Sequence, residues 1–185
     1  MTVTLVPADL GEATAMIVEH HYLHRGRRMA QVAYWARFDG ARCGVVLFSL
    51  PRMSVPFHGH PPMALLELAR LWLSPDVQGR ETTDRHGRRH SLCVASRTVG
   101  AALRRVRADW ATKYPRLPAI EACVSWASLD RHVGTVYEAA NFVRVGETQG
   151  RNGHNLRHAD YAVVKATYLY SWKRPYRALP ARGLW

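Results

Sequence analysis

The chain has 185 residues, 48% apolar and 22% charged, with six Trp, eight Tyr and four Phe. That is enough apolar and aromatic surface for one packed domain and too little length for two ordinary ones, and it excludes disorder, collagen-like repeats and disulfide scaffolds. Lys and Arg total 26 against 14 Asp and Glu, a formal charge of +12 with neutral histidines, and only three of the basic residues (Lys113, Lys165, Lys173) are lysines. Arginine presents a planar fork suited to phosphates and guanine edges, so an Arg-dominated excess points to a polyanionic partner, double-stranded DNA first. A coding bias of Arg over Lys is the competing source of the same excess.

Thr2 to Val6 alternates Thr with Val and Leu and predicts a short strand. Asp9 and Glu12 form a D-x-x-E capping box ahead of Ala13, Ile17 and Tyr22, so a helix starts near Leu10. His20 and His24, four apart at the end of that helix, share one face in this reading and suit capture of a transition metal. Asp39-Gly40 between Gln31–Phe38 and Arg42–Ser49 predicts a β-hairpin. Pro51, Pro56, Pro61 and Pro62 mark an irregular loop, and a third strand is expected over Met63–Leu73. Ser74 to Arg89 is polar and basic and reads as loop.

Leu92, Ser96, Val99, Leu103, Val106 and Trp110 recur at helical spacing, which makes this the clearest element in the chain, with Arg97, Arg104, Arg105 and Arg107 elsewhere on the wheel. Ile120–Trp126 reads as a buried strand, Gly134–Ala140 as a short helix, and Phe142–Glu147 and Asp160–Tyr168 as strands. Leu169 to Trp185 is an aromatic, basic tail without periodicity, placed to meet DNA or a second subunit in a homodimer. Cys43, Cys93 and Cys123 sit in apolar runs and predict buried, reduced thiols in a cytoplasmic protein. Neither an apolar run of about 18 residues nor a basic leader before an apolar stretch is present, so neither a membrane span nor export is expected.

The order β-α-β-β-β-α-β-α-β-β describes a single α/β domain over residues 1–185, a mixed central sheet flanked by helices, with one helix joining two parallel strands. That order resembles the GNAT acyltransferase fold. Three blocks sharpen the resemblance: His21-Tyr22-Leu23-His24-Arg25; Glu67-Leu68-Ala69-Arg70-Leu71-Trp72-Leu73, followed after a loop by Ala95-Ser96-Arg97; and Ser125-Trp126-Ala127-Ser128, then His132-Val133-Gly134-Thr135-Val136-Tyr137. In this order they resemble the phage Mu Mom family of GNAT-like DNA-modification proteins. The resemblance implies conversion of adenine in DNA to an N6-carbamoylmethyl derivative that protects phage DNA from restriction in the host cytoplasm. It carries functional roles onto His21, Tyr22, Arg70, Ser96 and Tyr137. Where the family usually reads Ser-Tyr-Ala-Asp this chain has Ser125-Trp126-Ala127-Ser128, which leaves Asp130 as the substitute carboxylate.

Chemistry on an adenine amine needs an extruded base, an aromatic face, hydrogen bonds to the base edge, an acid/base group and cationic grips on flanking phosphates. Trp126, Tyr22 and Tyr137 are candidate faces, Ser125 and Ser128 candidate edge contacts, and Arg25, Arg70 and Arg97 candidate grips. His21 is the expected proton carrier, because imidazole titrates near neutrality. Trp126 and Tyr137 read equally as core residues, and Ser96 as a small residue that permits close packing. An arginine in an apolar strand needs a partner, so Arg70 pairs with Glu67 or with a phosphate.

The family's association with iron makes His21 or His24, with Asp130, Asp160 or His158, a candidate two-His-one-carboxylate set. Arg88, Arg89, His90 and Ser91, ahead of the long helix, are the candidate phosphate contacts for acetyl-CoA or another acyl donor. The base is expected to enter where the Arg70 and Ser125 strands splay. An ordinary GNAT N-acetyltransferase of small amines or proteins, and a non-catalytic DNA-binding module, are the alternatives.

Overall fold

The computed structural model describes residues 1–26, 30–83, 85–149 and 164–172. Strand β1 (Val3–Pro7) is the sheet's first edge. Asp9 then caps α1 (Leu10–His20), its Oδ1 accepting from Gly11 N at 2.8 Å and Glu12 N at 3.0 Å. Ala13 and Ile17 bury that helix against Ala33, Trp35 and Val45. Those three residues lie on β2 (Ala30–Phe38) and β3 (Ala41–Ser49), an antiparallel hairpin whose turn residues Asp39 and Gly40 both have positive φ, as Asp-Gly predicts.

Strand β4 (Leu65–Leu73) pairs antiparallel with β3, and the register slips between Leu47 and Phe48: Phe48 faces Leu68 while Leu47 faces Arg70. Ala69 is the extra residue of a β-bulge, which re-aims everything after it. The stretch read as loop after β4 contains a small ribbon, β5 (Glu81–Thr83) with β6 (Arg89–Ser91), fastened by an ion pair between Arg89 and Glu81. It lies apart from the main sheet and is mostly exposed, so it carries no apolar alternation to betray it.

Helix α2 (Val94–Lys113) buries Val94, Thr98, Val99, Ala102, Leu103, Val106 and Trp110. Ser96 is therefore off the seam assigned to it, and Thr98 takes that place, its Oγ1 donating to the Val94 carbonyl at 2.7 Å. Cys43 and Cys123 are buried as expected, whereas Cys93 is exposed, in the left-handed residue before α2.

Strand β7 (Ala122–Ser128), helix α3 (Thr135–Ala139), β8 (Val143–Gln149) and β9 (Val164–Ser171) complete a seven-stranded sheet of order β1-β2-β3-β4-β7-β9-β8. Among the described residues only β4 and β7 pair in parallel, with α2 as their crossover. Leu169 is fully buried within β9, so the expected tail starts inside the sheet; Trp172 packs on the core, and residues 173–185 lie outside the described residues. No helix among the described residues is long and apolar enough to cross a membrane.

Candidate active site

The parallel pairing of β4 and β7 lasts for three residue pairs, Leu65–Ala122 to Glu67–Val124, and then stops. Past that point the strands part, bridged by the Ser125 hydroxyl, which donates to the Leu68 carbonyl at 3.1 Å. A cleft of about 1000 Å³ opens there. It is walled by β4 from Glu67 to Leu73, by Trp126 and Ser128 of β7, by the segment Arg131–Tyr137, and by His20–Leu23 at the end of α1.

Alternation along each strand sorts these side chains by face. Cys123 and Ala127 join the core cluster under α2, so Ser125 faces that side, whereas Trp126 packs with Leu65 and Val124 on the other. The Tyr137 hydroxyl hydrogen-bonds Ser125, and burial pushes its pKa up, so it stays protonated. Arg70, the first paired residue after the bulge, is half-buried. Its Nη1 donates to the Ala69 carbonyl at 2.5 Å and its Nε to the Arg25 carbonyl at 3.3 Å. Among the described residues no carboxylate forms an ion pair with it, so the expected Glu67 partnership is not made.

His21 caps α1 and is 7% exposed. Its ring stacks on Tyr22 with centroids 4.4 Å apart. Nδ1 accepts the Leu23 N–H at 3.2 Å, which leaves the proton of the neutral ring on Nε2. Burial first, then the charges of Arg70, His132 and His24, lower its pKa from 6.5 to about 4. The expectation that His21 titrates near neutrality is thus overturned: at neutral pH it is an Nε2–H donor. Because the unfolded ring binds a proton below about 6.5 and the folded ring only below about 4, folding stability falls as pH drops through that window, by about 3 kcal/mol. Urea unfolding from pH 7 to 4 is expected to show this loss, and His21→Gln to flatten it.

The other expected residues divide. Tyr22 lines the cleft, but its ring is engaged by His21, by the Arg131 guanidinium 5.0 Å from its centroid and by the edge of His132 at 5.7 Å. Trp126 and Ser128 line the cleft as well. Asp130 does not; it is exposed and pairs with Arg131 at 3.5 Å. Arg25 is outside the cleft lining and reaches the site through its carbonyl, which accepts from Arg70, and through its charge, which lowers the pKa of Arg70. Arg97 is tied to the Met1 carbonyl at 2.9 Å, and Ser96 Oγ donates to the Cys93 carbonyl at 3.1 Å. Arg88, Arg89, His90 and Ser91 belong to the exposed ribbon and its turn, outside the cleft lining, because β5 and β6 hold them away from it.

Among the described residues the metal reading finds no converging ligand set. Helix α1 ends at His20, and His24 lies in a turn at φ 43° with Nδ1 bonded to the Val18 carbonyl at 2.9 Å, so the two do not share a helical face. His20 stacks on Trp72 at 4.5 Å. Among the described residues no three His, Cys, Asp or Glu side chains converge to hold an ion; Asp160 and His158 lie outside those residues. Sequence reasoning missed Trp72, Arg131, His132, Arg52 and Lys165 as cleft residues. The aromatic and basic character of all five was visible, but their convergence from four separate segments was not.

The sequence profile of the Mom protein family matches residues 2–168. The chain belongs to the Mom protein family. Its fold is that of the GNAT acetyltransferases. RimL, a ribosomal L7/L12 alpha-N-protein acetyltransferase in its apo form, superposes with a TM-score of 0.55 at 16% identity, covering 92% of this chain and 94% of that one. AAC(6')-Ib in complex with paromomycin and acetyl-CoA gives 0.56 at 12% identity, with 94% and 95% covered. An IAA acetyltransferase from Bacillus cereus gives 0.51 at 10% identity, with 92% and 99% covered. No curated protein matches the chain in sequence. In this Mom family member the cleft occupies the splay between the parallel strands, where the sequence reading expected it.

Proposed function

We propose that the chain is a transferase that places a carbon group from an activated donor on N6 of an adenine swung out of double-stranded DNA; in the N6-carbamoylmethyl product of the family it resembles, the carbon bonded to N6 is a methylene, so the donor is one activated at that carbon. The observation that carries the polyanionic substrate is the charge of the lining. Among the described residues Arg52, Arg70, Arg131 and Lys165 line the cleft against a single carboxylate, Glu67, in a chain of net charge +12. Such a lining repels a cationic small amine and draws in phosphates. A volume of about 1000 Å³ has room for a base and a donor side by side.

The donor end has its own support. Helix α2 starts at the exposed Cys93 without a side-chain cap, so its first-turn amides lack side-chain acceptors, and Ala95 of that turn lines the cleft. Oriented amides of this kind suit the phosphates of a CoA-type donor; acetyl-CoA itself would leave an N6-acetyl group, so the carbamoylmethyl product calls for a donor that presents an activated methylene carbon. Residues of the chain then hold protons at defined atoms. His21 presents Nε2–H, a donor for oxygen or nitrogen atoms of base or leaving group, Tyr137 stays protonated with its hydroxyl held against Ser125, and Arg70 holds negative charge beside them.

The test is mass spectrometry of nucleosides from DNA of cells expressing the chain. A modified deoxyadenosine is the expected product. Unmodified deoxyadenosine, with salt-dependent DNA binding intact, would make the chain a binding module; acetyl transfer to free amines with no dependence on DNA would make it an ordinary N-acetyltransferase.

A further inference from the structure

Transfer onto N6 requires a group that accepts a proton, and the side chains assigned so far only donate one. Nδ1 of His21 is occupied by the Leu23 amide, Ser125 donates to Leu68, and Tyr137 is protonated. His132 is differently placed. It lines the cleft on the wall facing the end of α1, with its ring edge-on to Tyr22 at 5.7 Å. Its backbone N–H donates to the Ser128 carbonyl at 2.8 Å, which fixes the residue between the end of β7 and Gly134, where α3 begins. The side chain is exposed to solvent, and among the described residues neither ring nitrogen has a hydrogen-bond partner.

We propose that His132, held at the cleft mouth opposite Tyr22, is the catalytic base that accepts the adenine N6 proton. This rests on the adenine-transfer reading. In the step, the N6 lone pair forms the bond to the donor carbon, and the bond from that carbon to its leaving sulfur or oxygen breaks with its electron pair. The N6 proton passes to a ring nitrogen of His132, which returns it to solvent. Exposure gives that return path, which the buried Glu67, 4% exposed, lacks.

Single-turnover formation of modified deoxyadenosine in His132→Ala tests this, alongside the native chain and Glu67→Gln. The expected result is a rate about 100-fold below native, unchanged DNA affinity, and recovery of rate on adding free imidazole, which a merely structural role would not show. A rate within about threefold of native overturns the proposal. So does a loss that imidazole does not restore, or a loss found in Glu67→Gln and absent from His132→Ala. If the native chain forms no modified deoxyadenosine, the transfer reading fails and this assignment falls with it. If the native chain is active and His132→Ala is too, only the assignment falls.

Discussion

Gly134→Ala is expected to destabilise the fold by about 3 kcal/mol and to abolish transfer. Gly134 has φ +84°, a region where a Cβ costs about 1–2 kcal/mol. The added methyl would also overlap the Tyr168 hydroxyl and Cζ and come within 2.8 Å of Cε2. Tyr168 is fully buried on β9 and donates to the Val133 carbonyl at 3.1 Å, so it cannot swing aside, and overpacking of this kind adds about 1–3 kcal/mol. The relief has to come from the Val133–Gly134 segment, which also carries α3. Tyr137 packs against Tyr168 with ring centroids 5.1 Å apart, so any shift displaces the hydroxyl that meets Ser125. Denaturant unfolding and the nucleoside assay measure the two effects. Gly146→Ala, where nothing lies within 4 Å of the new methyl, is the control expected to change stability by no more than about 0.5 kcal/mol. Tyr168→Ala combined with Gly134→Ala should cost less than the sum of the two single changes, because the clash is counted once and then removed.

The same residues show how far local pattern reaches. The strands and helices around the cleft were legible because each buries one face: Ala13 and Ile17 in α1, the α2 seam, and the hairpin turn at Asp39-Gly40. Where burial sets no period, legibility stopped. The β5–β6 ribbon is mostly exposed, and the end of α1 depends on His21 turning inward to accept from Leu23, which no spacing encodes. The place of the cleft could be read, since one helix joining two parallel strands puts the splay between them, but the bulge at Ala69 of β4 could not. Its chemistry could be read only in part. His21, Tyr22, Arg70 and Tyr137 converge, yet the burial that gathers them is also what removes His21 as a near-neutral base, and residue identity carries no record of that burial.

Electrostatic coupling ties these residues into one unit. Arg70 lowers the pKa of His21 and is itself influenced by Tyr22 and Tyr137, while burial works against its own charge. The guanidinium is thus kept charged at a desolvation cost, held by two neutral carbonyls with no carboxylate among the described residues paired to it. A side chain retained under such terms for stability alone would normally sit beside a carboxylate.

Arg70→Leu is therefore expected to separate function from stability. Transfer should fall by about 100- to 1000-fold, the cost of removing a charged donor aimed at developing negative charge. Stability at pH 7 should stay level or rise, because an apolar residue of comparable bulk removes a half-buried charge without leaving an ionised partner behind. The acid limb supplies a second readout. With the Arg70 charge gone, the pKa of His21 moves part of the way back toward its ordinary value; burial, the larger cause, still holds it down. The loss of stability between pH 6.5 and 4 should accordingly shrink relative to native and remain larger than in His21→Gln. Arg70→Lys keeps the charge and loses the fork, so it should preserve the native acid limb while transferring poorly. A stability loss of several kcal/mol in Arg70→Leu, with transfer reduced only in proportion to unfolding, would make Arg70 a structural residue and leave the cleft without its central cation.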